Sequence, residues 1–504
     1  MKRHFLAVIV INAIAIAFAG QASAEEVRQL TLKEAIKLAV ERNLDVRASL
    51  YIPAESEADI HKYKGIYNPL LSLLANYQDS NTQTSNSFTT GGESVSRLRS
   101  TNYNAGLSQL IPTGGTFGAA LNNSWNHNNF TAPGAINNYF QSNATVSFIQ
   151  PLLKNFGRET TELTIDVAQF TKEGALEQFS AKLQDVISQV KSQYYQLYSL
   201  RKNLEVKKAS LSLAETVLNN TQGQVKAGVL PAMENLNAQY GLATRQKELI
   251  DAERALKDQL DVLRLLLQLN DATDIIPVDT PFMENYVVDE AQAITYALAS
   301  RPDLKQQRVS LKTTELQSRV ARHQTLPQLD FTASAAFTGL GSTYNRDLDR
   351  VGSGQYPVWI AGLQLTYPIG NDSAKNDYIK SKLVVEQTRT QVKSLEETIV
   401  RDVRTAVRAV RSGYLQLDVT ARGRAYAEEV VQAYIKKQKV GLATTKDVLD
   451  VMNNLVTAQG SEIQAVTDYN NAIVALWKAT GELLEREGIL LGEKDANALY
   501  DANR

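Results

Sequence analysis

Apolar residues recur at every seventh position in the segment that follows Gly157: Leu176, Leu183, Val190, Leu197, Leu204, Leu211, Leu218 and Val225. Phe179, Val186 and Ala214 supply the intervening three-four spacing over part of it. Such a repeat, sustained over several heptads, specifies coiled-coil packing with a left-handed supercoil. Between Gly157 and Gly228 it predicts one helix of about 70 residues and about 105 Å, longer than an ordinary globular domain holds. Residues 32–64 and 231–268 predict two shorter helices whose stacked lengths also come to about 105 Å. A second long helix, with less regular heptads, is predicted from about Ala374 to Val440.

Between the helices the period falls to two. Phe140, Ala144, Val146 and Phe148 alternate with Gln141, Asn143, Thr145 and Ser147. Leu329, Phe331, Ala333, Ala335 and Phe337 alternate with Asp330, Thr332, Ser334 and Thr338. Segments of about ten residues, apolar on one face and polar on the other, suit a transmembrane barrel; a soluble β-sandwich is the competing reading. Trp125, Trp359, Tyr139 and Tyr367 are candidates for aromatic girdles. The stretches 79–96, 122–138 and 339–355, rich in Asn, Ser, Thr and Gly, predict exposed connections. Pro151 and Pro368 close the strand blocks, because proline cannot donate to a sheet ladder.

The chain is duplicated. Setting residues 30–46 beside 288–304 pairs Ala35, Ile36, Ala39 and Asp45 with Ala293, Ile294, Ala297 and Asp303, and the same offset pairs Pro69 with Pro327. Further on, VKAGVLPAMENL around Gly228 answers KVGLATTKDVLDVM around Gly441. The expected organisation is a first repeat over 25–277, with strands at about 69–151, a second over 278–488, with strands at about 327–368, and a tail at 489–504. Each half reads helix, strands, long helix, glycine turn, helix.

Lys2 and Arg3, the apolar run from Phe5 to Ala19 and the small-residue pattern Ala22-Ser23-Ala24 predict a secretory signal over 1–24. The run is shorter than the roughly 20 apolar residues of a spanning helix. No later stretch approaches 18 uninterrupted apolar residues, which excludes an inner-membrane protein with several spanning helices, so any crossing must be made by strands. Cysteine is absent, so neither disulfides nor a lipid-bearing cysteine is available. Without Lys2 and Arg3, 51 basic residues face 54 acidic ones, a balance that favours neither nucleic acid nor an acidic surface.

The duplicated LTLKEAIKLAVERN opening, the helix-to-strand join TLPQLDFTAS, the strand SFIQPLLKNFG and both glycine turns resemble the TolC-type outer membrane efflux family over nearly the whole mature sequence. The resemblance implies a mainly α chain with a transmembrane β-barrel, in which a homotrimer shares a membrane barrel and a long coiled-coil α-helical barrel. It implies outer-membrane localisation in contact with lipid, extension into the periplasm, and docking on a periplasmic adaptor and an inner-membrane pump. Drugs, metals or secreted proteins would be carried outward. The chain departs from the family in its strand blocks, since residues 69–151 are twice as long as 327–368. Residues 100–126 read as two further alternating strands around Pro112-Thr113-Gly114-Gly115. The expectations are six strands per subunit, hence an 18-stranded barrel, or an extracellular hairpin above a 12-stranded one.

The resemblance also implies roles for particular residues. Ala227, Gly228, Val229, Val440, Gly441, Leu442 and Thr445 fall at the periplasmic tip and adaptor contact, where glycine caps the helices in any case. Asp447 and Asp450, one turn apart on one face, would form stacked rings of carboxylates at the pore aperture. Like charges so close would raise one another's pKa and attract cations. Asp447 also stands three residues after Thr444, as in a capping box. Glu234, the matching position of the first half, suits a helix N-terminus, and the resemblance adds a part in locking the closed tip. The family's basic residue at the third turn position is replaced by Ala443, with Lys446 nearby.

No catalytic constellation stands out: His61, His127 and His323 fall in different elements, and no metal-ligand spacing or phosphate loop is present. Neither enzyme activity, a metal nor a cofactor is expected. The reading is a passive exit duct of a tripartite efflux or type I secretion system; the alternative is a non-conducting periplasmic coiled-coil spacer or adhesin.

Overall fold

The computed structural model describes residues 26–504 except 86–89, 91–92, 130, 132–133, 135, 270–272 and 490–491. The expected signal segment 1–24 lies outside the described residues. In chain order the elements are β1 (Glu26–Leu30), α1 (Leu32–Arg42), α2 (Leu44–Lys64), β2 (Leu70–Gln83), β3 (Val95–Leu110), β4 (Thr116–Asn128), β5 (Asn138–Pro151), α3 (Arg158–Thr161), α4 (Leu163–Lys226) and α5 (Ala232–Leu267). Then follow β6 (Thr273–Pro277), α6 (Glu290–Ser300), α7 (Pro302–His323), β7 (Gln328–Gly341), α8 (Tyr344–Ser353), β8 (Pro357–Thr366), α9 (Asp372–Lys439), α10 (Thr445–Thr480), α11 (Leu483–Arg486) and α12 (Glu493–Ala502). No described helix is long and apolar enough to cross a membrane.

The chain forms two compact units, and each draws on both halves of the duplication. One comprises the described residues through Tyr51, those of Gln178–Asp303 and those of Glu396–Gly492. Its core is the heptad seam of α4. Leu183, Val190 and Leu197 are fully buried, and Phe179, Val186 and Ile187 fill the spaces between them against Leu260, Leu263 and Leu267 of α5. Toward the far end of α4 the buried positions become Ala214 and Val217, packed on Val431, Val448 and Met452. The later members of the seventh-residue series, Leu204, Leu211, Leu218 and Val225, are only partly buried.

The helix expected over 32–64 is broken. The side-chain carbonyl of Asn43 accepts from the N–H groups of Asp45 and Val46 at 2.9 and 3.2 Å, and its amide donates to the Leu266 carbonyl at 3.0 Å. One helix ends there and the next begins with a satisfied cap. Thr31 and Glu34 form a capping box at the start of α1. The parallel pair β1 and β6 has no counterpart in the sequence reading; it ties the start of the first repeat to its end, with Tyr194 donating to the Leu30 carbonyl at 2.9 Å.

The second unit comprises Ile52–Glu177, Leu304–Leu395 and Glu493–Arg504. It holds an antiparallel six-stranded sheet in the order β2-β3-β4-β5-β7-β8. The strands over 100–126 belong to this sheet and are not a separate hairpin above it. They are joined by a tight turn in which Gly114 has φ +88 and a Cβ would stand 2.5 Å from the Asn155 carbonyl oxygen.

Paired residues in antiparallel strands point to the same face, so the register shows what each face carries. Leu71, Leu107, Ala119, Val146, Ala335 and Trp359 form one continuous row across all six strands. On the opposite face Leu74, Asn104, Asn122, Asn143 and Thr338 form another. Tyr139 is opposite Asn126, on the polar face, so its expected place in an outward aromatic girdle is not met; Trp125, opposite Phe140, shares the apolar face.

The exposed connections were drawn too long. The strands β2, β3 and β4 run well into 79–96 and 122–138, and 339–355 holds α8. Alternation was masked in these stretches by Asn and Ser on both faces. The helix α8 lies on the apolar face, where Asp347 is fully buried and accepts from the Ser142 N–H at 3.1 Å and from its hydroxyl. Gly339 and Gly341 permit this approach, since a Cβ on either would meet Asp347 within 2.6 Å. Tyr344 packs against Tyr103 and Phe140.

Helix α12 is held in the same unit by Lys172. Its ammonium pairs with Glu57 and Glu493, each at 2.9 Å, and donates to Asn497 at 2.9 Å, while His61 stacks on Tyr500 at 5.2 Å. The Glu57 carboxyl is held below its usual range, first by the hydrogen bond from Lys172, against an opposing push from burial. A lowered folded pKa means stabilisation that is present above the unfolded value, about 4.3, and lost as pH falls through the folded value. Lys172→Met should therefore raise hydrogen exchange of residues 493–502 about tenfold at pH 7, as a loss of roughly 1.4 kcal/mol implies. Wild type should approach the variant in acid; equal exchange at pH 7 would count against the clamp.

Candidate functional site

The two glycine turns have the same local construction. At the first, the Gly228 N–H donates to the Val225 carbonyl at 3.0 Å and the Val229 N–H to Gln224 at 2.9 Å. At the second, the Gly441 N–H donates to Gln438 at 3.0 Å and the Leu442 N–H to Lys437 at 2.9 Å. Each is a Schellman motif. It requires a left-handed residue, supplied by Gly228 with φ +73 and Gly441 with φ +75. The motif leaves Val229, Val440 and Leu442 60, 69 and 78% exposed, and Ala227 is exposed beside them.

The hairpins are joined through Thr445, which is fully buried. Its N–H, at the start of α10, donates to Glu234 Oε2 at 2.9 Å. Its hydroxyl receives Gln438 Nε2 at 3.3 Å and lies 3.4 Å from the Thr221 hydroxyl. Glu234 thus sits in the first turn of its own helix while accepting from the first turn of α10, and both N-terminal dipoles favour its charge. Farther along α5, Gly241 lets Leu449 approach to within 2.6 Å of where a Cβ would stand. Arg245, 3% exposed, pairs with Glu248 at 2.9 Å and donates to Asn453. Arg245, Thr221 and Gln438 were not singled out from the sequence, because a lone Arg, Thr or Gln carries no signal until the partner helix faces it.

Asp447 caps α10. It accepts from the Thr444 N–H at 2.9 Å and hydroxyl at 2.7 Å, and its own N–H donates back to the Thr444 hydroxyl at 3.1 Å. Thr444, first through its hydroxyl and then through its N–H, holds the Asp447 carboxyl below the usual carboxylate range. Within one chain the shift therefore runs opposite to the upward one expected of crowded carboxylates, because the cap donates to the charged form. Asp450 is exposed on the same helix one turn on. Asp447 and Asp450 thus present two exposed carboxylates on one helix, the first of them fixed by its cap.

An amphipathic six-stranded sheet together with heptad helices and capped hairpins defines the class of outer-membrane channel proteins that combine a β-barrel with coiled-coil helices. The profile of the outer membrane efflux protein family matches residues 116–268 and 293–482, and the chain belongs to that family. Among curated relatives it is 27% identical over 194 residues to the outer membrane efflux protein BepC of Brucella suis, covering 38% of this chain and 41% of BepC. It is 24% identical over 315 residues to the pyoverdine export outer membrane protein OpmQ of Pseudomonas aeruginosa, covering 62% of this chain and 64% of OpmQ. The matches thus span less than two thirds of either relative. Among solved structures, the outer-membrane channel OprN superposes with TM-score 0.68 at 14% identity over 90% of both chains. The CmeC outer membrane channel of Campylobacter jejuni does so with TM-score 0.65 at 17% identity, over 94% of this chain and 89% of CmeC.

The tip contact predicts a graded response. Glu234→Ala should raise hydrogen exchange at Thr445 to Val448 by about fivefold to thirtyfold, in line with the roughly 1–2 kcal/mol of a lost cap. Glu234→Gln, which keeps an acceptor oxygen, should fall between it and wild type. Equal exchange in all three would remove Glu234 from the tip lock.

Proposed function

We propose that this chain is the outer-membrane exit duct of a tripartite efflux or type I secretion system, a passive channel formed by three copies. The observation that carries the reading is the sheet. One face is apolar in continuous rows, the other is lined with Asn, Ser and Thr, and among the described residues its outer strands β2 and β8 have no partner on their free sides. In hydrocarbon an open sheet edge is not tolerated, so β8 of one copy would pair with β2 of the next until the ring closes. Three copies of six strands make 18, a size at which barrels leave an aqueous channel.

In this reading the organisation into two repeats, 25–277 and 278–488 with a tail after them, gives each subunit two hairpins ending at the periplasmic tip. Val229, Val440 and Leu442, with Ala227, Gly228, Gly441 and Thr445, would meet a periplasmic adaptor that links the duct to an inner-membrane pump. Asp447 and Asp450, repeated around the three-fold axis, would form the aperture, and Glu234 on Thr445 would help hold it closed. Transport energy would come from the pump, so no catalytic role is assigned to this chain. The spacer or adhesin alternative calls for neither an amphipathic sheet nor paired acidic positions at the hairpin ends.

Planar-bilayer recording of the purified protein tests this. Wild type should conduct with cation selectivity, and Asp447→Asn with Asp450→Asn should move the reversal potential in a salt gradient toward zero. Acidification should do the same once the pH falls below the usual carboxylate range, where Asp447, whose pKa is lowered, protonates. A protein that inserts without conducting would defeat the duct; unchanged selectivity in the double variant would remove the aspartates from the aperture.

A further inference from the structure

The apolar face of the sheet ends at a definite row. Leu73, Ala105, Leu121, Ala144, Phe337 and Pro357 stand in register across the six strands. The next row on that face, farther from the ends of α2 and α7 that lead into the sheet, is Ala75, Tyr103, Asn123, Ser142 and Gly339. Asn123 and Ser142 are buried. The Asn123 amide donates to the Tyr103 carbonyl at 3.0 Å, and the Ser142 hydroxyl stands 2.8 Å from Asn123 Oδ1. What covers these polar groups is α8, which sets Asp347 on Ser142 and Val351 close to Gly339.

The other face of this helix carries Arg346, Asp349 and Arg350, all exposed. The two arginines are one turn apart. Arg346 reaches the Ser342 hydroxyl at 3.4 Å, and Arg350 donates to the Leu340 carbonyl. Each of these contacts uses one of the five N–H groups that a guanidinium offers.

The depth of α8 follows from the strands. Leu329, opposite Leu365, begins the apolar face of β7. From there to Gly339 is about ten residues, hence about 34 Å along the strand and about 26 Å along the normal of a barrel whose strands tilt by about 40°. The apolar band of an outer-membrane barrel is about 25 Å tall. The row under α8 therefore coincides with the outer boundary of hydrocarbon, where an arginine can stand because charged headgroups begin.

We propose that Arg346 and Arg350 hold the phosphate of an anionic glycolipid in the outer leaflet, with α8 as its mount on the outside of the barrel. This rests on the membrane barrel proposed above and names a ligand for its outer surface. Guanidinium groups pair with phosphate oxygens through parallel hydrogen bonds, and two of them on one helix face suit a headgroup of high negative charge. Asp349 between them works against the phosphate, so its removal should tighten the site.

Native mass spectrometry of the full-length protein mixed in detergent with lipid A that bears two phosphates tests this. Wild type should retain it about tenfold better than dephosphorylated lipid A, the size of a charge-assisted hydrogen-bond pair. Arg346→Gln with Arg350→Gln should abolish that preference, whereas Asp349→Asn should increase it. Equal retention of the two lipids by wild type, or an undiminished preference in the double variant, would overturn the site. Displacement of lipid A by an equal concentration of inorganic phosphate would assign it to a free anion and overturn the lipid. Should loss of the Arg350 contact with Leu340 unseat α8, Arg346→Gln alone decides: a reduced preference supports the site, and an unchanged one refutes it. A protein that conducts in a planar bilayer but shows no preference loses this site and keeps the duct; one that does not insert loses both.

Discussion

The free edges that β2 and β8 present among the described residues constrain the rest of this molecule. In water such edges are tolerated, but in hydrocarbon each unsatisfied N–H or C=O costs several kcal/mol. A strand edge of ten or more residues is therefore incompatible with a lone chain in a membrane. The six strands carry a single apolar face, so water and lipid each have a side, and the edges must be met by other strands. The duplication makes this demand asymmetric: four strands from the first half and two from the second put different strands at the two ends. Head-to-tail closure satisfies such a sheet.

The helices meet a related demand by different means. Their backbone is satisfied internally, so association depends on side chains. The central part of α4 buries its heptad residues completely, and its lower part hands the core over to Ala214 and Val217, where α9 and α10 come close. Small residues govern these approaches. Gly241 lets Leu449 come within 2.6 Å of where a Cβ would stand, and Gly413 leaves 3.2 Å to Tyr469, a tight fit for a methyl group. The hairpin ends then rest on few polar contacts. Glu234, Thr445, Gln438 and Thr221 replace the apolar packing found higher in the unit, and polar contacts of about 0.5–1.5 kcal/mol each are the kind that a partner could exchange for its own.

Much of this was legible in the residues. The seventh-position series located the long helices, alternation located the strands, and the glycines marked turns whose geometry, down to the left-handed φ, is common to both halves. The resemblance to the efflux family was carried by the same features. The break at Asn43, the parallel pair β1 and β6, and helix α8 were not legible. Asn43 looks like any polar helix residue until its amide finds the Leu266 carbonyl. The strands β1 and β6 are five residues each, too short to set a period. Asp347 reads as loop polarity until Ser142, some two hundred residues earlier in the chain, stands beneath it.

The same distinction separates what the sequence determined alone from what the tertiary structure decided. Periodicity, capping boxes and glycine positions act over a few residues, so they are written locally and set the type, the ends and the buried stripe of each element. The partner of Glu234 and the membership of all six strands in one sheet depend on groups far apart in the chain. Hydrogen bonding and burial act through space, and only the packed chain brings those groups within reach of one another.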